Sequence, residues 1–179
     1  MSTSLKIVTL CTGNVARSVM LGYMLTALAE ASGEDWQVRT AGTHVIEGSS
    51  MSGRTREALL RIDELGSLNC GAHRSHQLTA DDVAWADVIL ASEADHVNFV
   101  KRNFDDHFNK TVQLAQFARS APLDGPIEVQ LALIASLTPS PEFDVTDPAG
   151  GEQKDYDACA QQLWELSQVF ATLVEQHVI

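Results

Sequence analysis

The chain has 179 residues, 45% of them hydrophobic, which suits one globular domain able to bury about 70% of its unfolded surface. A formal net charge of −12, from 24 acidic against 12 basic residues, argues against nucleic acid or an anionic membrane as a partner. Three cysteines, Cys11, Cys70 and Cys159, are odd in number and lack metal-type spacing, which speaks against a disulfide framework or a metal site and for ordinary thiols at Cys70 and Cys159. No apolar run reaches the ~20 residues that span a bilayer, and Met1-Ser2-Thr3-Ser4 has no leader-like pattern. A cytoplasmic protein without metal or cofactor is the expectation.

Leu5 to Leu10 is a nearly continuous apolar run, the pattern of a central parallel strand. It ends at Cys11. The stretch Thr12-Gly13-Asn14-Val15-Ala16 then leads into a helix from Arg17 to about Ala31, with Met20, Leu21, Met24, Leu25 and Leu28 at helical spacing and Gly33 as the C-terminal cap. A strand-to-helix turn aims unpaired backbone N–H groups and the positive end of the helix dipole at one point, which binds an oxyanion. The same groups favour a thiolate at Cys11, a nucleophile at neutral pH. Arg17 on the first helical turn offers a planar fork for two oxygens of a tetrahedral anion. Gly13 leaves room for amide approach, Asn14 suits the positive φ that such a loop needs, and Ser18 can donate to the sulfur. Singly, Cys11 reads as a buried thiol and Arg17 as a solvated helix residue. Jointly they specify thiolate attack on a phosphoryl-like group.

The segment Cys11 to Ser18 resembles the Cys-x5-Arg-Ser phosphate loop of the low-molecular-weight protein tyrosine phosphatases. The resemblance extends over nearly the whole chain and implies a three-layer α/β fold, with a four-stranded parallel sheet of order 2-1-3-4 and helices on both faces. Thioredoxin-coupled arsenate reductases and protein arginine phosphatases share the loop architecture.

Trp36 to Thr40 reads as the second strand, followed by Thr40-Ala41-Gly42-Thr43, where the resemblance assigns Thr40 a hydroxyl that supports the loop. Residues 43–52 form a loop that in the family walls the substrate cleft, often with an aromatic residue; here the neighbourhood holds His44, Val45 and Ile46. Arg54 to Leu65 reads as one charged helix closed by Gly66. In Gly71 to Thr79 the resemblance makes His73 the brace of the loop asparagine. Arg54, Arg56 and Arg74 could draw in an anion, but each reads better as a solvated rim. Ala86 to Ala91 reads as the third strand, Ser92 to about Arg102 as a helix with acids in its first turn, and Thr111 to Leu114 as the fourth strand. Residues 119–143 look like an insertion with an apolar helix over Ile127 to Leu137, read as packing on the sheet edge in preference to a lid. The final helix, from about Lys154, places Leu163, Leu166, Phe170, Leu173 and Val174 on one stripe.

Cleaving a phosphate ester with a thiolate requires a proton for the departing oxygen and later a base for water, and one carboxyl group can serve both steps. In Phe143 to Gly151, Pro148 restrains Asp147 to an extended backbone. The resemblance also places the family's general acid in such an Asp-Pro pair, so Asp147 is the candidate acid and Asp144 the second choice. The expected protein is a phosphomonoester hydrolase acting on a phosphorylated protein or small aryl phosphate through a cysteinyl-phosphate intermediate. Cys11, Arg17 and Asp147 are its catalytic residues, Thr12, Gly13, Asn14, Val15, Ala16 and Ser18 its binding loop. A phosphate-binding sensor without turnover is the non-enzyme alternative. Among the enzymes, the resemblance implies that protein arginine phosphatases favour phosphoguanidinium through a loop threonine; Val15 stands at that place without the hydroxyl, which points to phosphotyrosine. Ala91 and Asn98 stand where arsenate reductases carry their two exchanging thiols, which argues against that branch. Oligomeric state is not legible.

Overall fold

A computed structural model of the protein describes residues 4–122 and 125–175. Four parallel strands, β1 (Leu5–Cys11), β2 (Trp36–Gly42), β3 (Val88–Ala91) and β4 (Thr111–Gln113), form one sheet in the order β2-β1-β3-β4. The expected topology is the one observed. Central position explains the apolar run of β1: its side chains alternate, Ile7 entering one core and Val8 with Leu10 the other, so both faces are covered.

The larger core packs α1 (Arg17–Ser32) and α7 (Gln153–Glu175) on one face, where Met20, Leu21, Met24 and Leu25 meet Leu163 and Phe170. Helix α1 ends at Gly33, whose φ of 74° is the left-handed cap its sequence signals. On the opposite face sit α3 (Ala80–Trp85) and α4 (Ala94–Asn103), contributing Val83 and Val100. The charged segment from Arg54 is interrupted: α2 covers Gly53–Leu60, and a separate 3-10 turn covers Asp63–Leu65. The break falls at Ile62, which takes an extended conformation (φ −81°, ψ 120°) and is buried; placing that side chain inside outweighs continuing the helix.

The third strand starts later than expected because Ala86 closes α3, an element whose Thr79–Asp82 capping box the apolar periodicity does not reveal. The fourth strand is short. Its last partner is Ala91, paired with Gln113, and Leu114 already opens α5 (Leu114–Ser120). Helix α6 (Ile127–Ala135) buries Leu131 and Ile134 and packs near β4 and the 3-10 segment Asp105–Lys110. It stands at the sheet edge. Among the described residues no helix is long and apolar enough to cross a membrane.

Candidate active site

The carboxyl end of β1 delivers Cys11 into a tight turn whose residues are held from several directions. Asn14 adopts φ 53°, the left-handed region open to asparagine at least cost after glycine, and is fully buried. Its side-chain amide donates to Ser18 Oγ at 2.8 Å, its Oδ1 accepts from the His76 amide at 2.9 Å, and its carbonyl meets His73 Nε2 at 2.8 Å. Because Asn14 occupies an acceptor position on Ser18 Oγ, the Ser18 proton is free for Cys11 Sγ, 2.9 Å away. A thiolate can only accept. The bond therefore favours the charged sulfur.

His73, expected as the brace of the loop asparagine, is the residue in that contact, and burial pulls its pKa below the ordinary value, which favours the uncharged ring. Thr40 does not support the loop. Its methyl lies against α1, where a Cβ on Gly22 would come within 2.5 Å of it, and among the described residues its hydroxyl has no hydrogen bond to Cys11–Ser18. That support comes from Thr9, which donates to the Ser18 carbonyl at 2.7 Å, and from Thr55 on α2, which donates to the Val15 carbonyl at 3.1 Å. At the end of β2 the requirement is for glycine. A Cβ on Gly42 would lie 2.5 Å from the Thr12 carbonyl and 2.4 Å from Val45 Cγ2.

Helix α1 begins after Ala16 with no side chain capping its first turn among the described residues. Its first N–H groups are thus left for an anion. Arg17 is almost fully buried, 2% exposed, and is aimed by partners far along the chain. Its Nη1 donates to Glu93 Oε1 and to the Val145 carbonyl at 2.9 Å, and its Nη2 lies 3.1 Å from Asp147 Oδ2. Glu93 has no signal in the sequence as an arginine partner; it reads there only as an acid at a helix start.

Asp147 projects from the loop before α7, its side chain 43% exposed, with Oδ1 accepting from the Ala149 amide at 3.1 Å in a turn over Pro148. Asp144 is committed elsewhere. Its Oδ1 accepts from the Ala94 amide at 2.7 Å and from Gln113 Nε2 at 2.9 Å, which ties the acid loop to the start of α4 and the end of β4. The cleft over the sulfur, about 260 Å³, is lined by Cys11, Thr12, Gly13, Val15, Ala16, Arg17, Ser52, Asp147, Ala149 and Tyr156. No aromatic residue between 43 and 52 reaches it. Tyr156 on α7 is the aromatic side chain that does, and no motif announces it.

Two of the rim arginines bind protein, Arg54 donating to the Gly151 carbonyl at 2.7 Å and Arg74 to the His73 carbonyl at 2.6 Å, while Arg56 is exposed. Cys159 lines the cavity behind the acid loop with Asp147 and feels the charges of Arg17 and Cys11. Burial pushes its pKa up to about 12.

Residues 6–178 match the family model for low molecular weight phosphotyrosine protein phosphatase. The chain belongs to that family. It is therefore a phosphatase, and its site geometry is that of a cysteine-dependent one. A protein-arginine-phosphatase of Geobacillus stearothermophilus is 33% identical over 133 residues, covering 71% of this chain and 84% of that protein. The solved YwlE arginine phosphatase of the same organism is 27% identical with TM-score 0.74, over 96% of this chain and 93% of the other. The low molecular weight protein tyrosine phosphatase of T. tengcongensis shares the fold at TM-score 0.75 and 24% identity, over 93% and 97% of the two chains.

Proposed function

We propose that the phosphatase acts on phosphotyrosine in proteins, with Cys11 as nucleophile, Arg17 and the Thr12–Ser18 loop as oxyanion cradle, and Asp147 as acid and then base. The convergence of Cys11, Arg17 and Asp147 on one cleft supports this reading. The Cys11 thiolate attacks phosphorus, forming the S–P bond as the P–O bond breaks, while Asp147 gives its proton to the departing phenolate oxygen. Water then attacks the phosphocysteine, its proton passes to Asp147, and inorganic phosphate leaves with the thiolate restored. Without substrate, Asp147 rests on Arg17. An arriving phosphoryl dianion competes for the same guanidinium and frees Asp147 to face the ester oxygen.

In this reading one cytoplasmic domain carries the whole chemistry, and residues 119–143 are an insertion at the β4 edge. The test is hydrolysis of a generic aryl phosphate: Cys11→Ser is expected to bring the rate to the buffer background while retaining phosphate binding. Equal rates in the two proteins would refute the assignment and favour a binding protein whose turnover comes from a contaminant.

Substrate choice rests on Val15 and Tyr156. Val15 presents methyl groups to the cleft, and Tyr156 offers a ring for aromatic contact. Phosphoarginine is the second reading, favoured by the similarity to protein-arginine-phosphatases. On matched peptides, the expected kcat/KM is higher for phosphotyrosine. Val15→Thr should raise relative activity on phosphoarginine by up to about tenfold, the worth of one added hydrogen bond. A wild-type preference for phosphoarginine would transfer the assignment to the second reading.

A further inference from the structure

His96, on the first turn of α4, is nearly fully buried and belongs to no step of the proposed reaction. Its two ring nitrogens join two parts of the site. The Glu93 backbone N–H donates to Nδ1 at 3.1 Å, and Nε2 lies 2.9 Å from Thr12 Oγ1. A neutral imidazole carries one proton, and a ring nitrogen that accepts cannot hold it. The proton is therefore on Nε2, and His96 donates to Thr12. Burial, followed by the Arg17 guanidinium and His44, holds the His96 pKa down to about 3, so this tautomer persists through the neutral range.

The consequences meet at the oxyanion site. Thr12 follows the nucleophile and lines the cleft; with its oxygen engaged by His96, its own hydroxyl proton remains a donor. Its backbone carbonyl is pinned from the other side by the His44 amide at 3.0 Å. Glu93 and His96 are tied to each other: the His96 backbone N–H donates to the Glu93 carbonyl at 3.2 Å, the His96 ring accepts from the Glu93 backbone N–H, and the Glu93 carboxylate lies 3.8 Å from Nε2. The same carboxylate aims Arg17.

We propose that His96 is a positioning residue that holds the Thr12 hydroxyl and the Glu93–Arg17 pair in the arrangement that binds a phosphoryl dianion. This rests on the reading of Cys11–Ser18 as an oxyanion cradle. It adds a residue that never touches substrate. Two substitutions separate the contacts: the His96→Gln amide can place an N–H donor at the reach of Nε2, whereas the shorter His96→Asn amide reaches only as far as Nδ1. Inorganic phosphate is the probe, titrated by calorimetry so that no turnover is required and the outcome stays distinct from that of the catalytic assay. KM and kcat on an aryl phosphate are measured beside it.

His96→Asn and Thr12→Val are each expected to weaken phosphate binding about tenfold, near the 1.4 kcal/mol of one hydrogen bond. The effect should fall on KM in preference to kcat. The double variant should bind no more weakly than either single one, and His96→Gln should bind within about threefold of wild type. Thr12→Val leaves the ring in place and carries the test independently of how the α4 variants fold. Wild-type phosphate affinity in Thr12→Val, additive losses in the double variant, or equal losses in the Asn and Gln variants would overturn the proposal.

Discussion

Arg17→Ala is expected to lower kcat/KM for aryl phosphate by about 10³ or more, since a single preorganised oxyanion donor is worth about 10²–10³ and this guanidinium supplies a charged, bidentate pair. Arg17→Lys should recover little of the loss, because an ammonium cannot span two equatorial oxygens while remaining bound to Glu93 and the Val145 carbonyl. Part of the damage should be structural. Removing the cation leaves Glu93, only 24% exposed, without its partner, and breaking a buried pair from one side costs on the order of 3–5 kcal/mol, less at this partly open position. The double variant Arg17→Ala with Glu93→Gln separates the effects: thermal stability should return toward wild type while activity stays low. Recovery of kcat/KM in the double variant would remove Arg17 from the reaction and leave it a purely structural role.

Asp147→Asn is expected to reveal itself through the leaving group. Phosphotyrosine has a basic leaving oxygen that needs a proton, so its hydrolysis should slow by about 10²–10⁴. An activated nitrophenyl ester departs without help and should slow by less than about tenfold. Asp144 provides the comparison inside the same loop. Its carboxylate holds the Ala94 amide and Gln113, so Asp144→Asn should lower both substrates alike and reduce stability. If Asp147→Asn lowers both substrates equally while Asp144→Asn discriminates between them, the acid is Asp144.

The parts of this protein legible in its sequence are those in which residues close along the chain act on one another. Cys11 to Ser18 is such a segment: the run of β1, the positive φ of Asn14 and the Ser18 contact with the sulfur all follow from residue types at fixed short spacing. Gly33 ends α1 for a local reason, and the alternation of strands with helices leads to a parallel sheet whose ligand sits at the end of β1. The arginine phosphatase relatives and the Val15 argument point to different substrates: the loop as a whole carries the proposed reaction, whereas in the same proposal substrate choice rests on Val15 within it and on Tyr156 from α7.

Local pattern fails where a position is decided by what packs against it. Ile62 breaks a helix that its neighbours favour, because its side chain is needed inside. Thr40 gives up the role its motif implies because β2 runs so close to Gly22 that its methyl fills the gap.

The sequence by itself pointed to the candidate nucleophile and the shape of the anion loop, products of short-range stereochemistry, while the order of the sheet followed from the resemblance of those motifs to a known family. Only the tertiary structure decided what holds Arg17. Glu93 and Val145 reach it across 76 and 128 residues of chain. It likewise decided that Asp147 and not Asp144 lines the cleft with Cys11, that Tyr156 is the aromatic residue in that lining, and that His96 links Thr12 to Glu93. The physical reason is common to all of them. A buried charge or polar group must find its partners in space, and separation along the chain carries no trace of which ones the fold will bring.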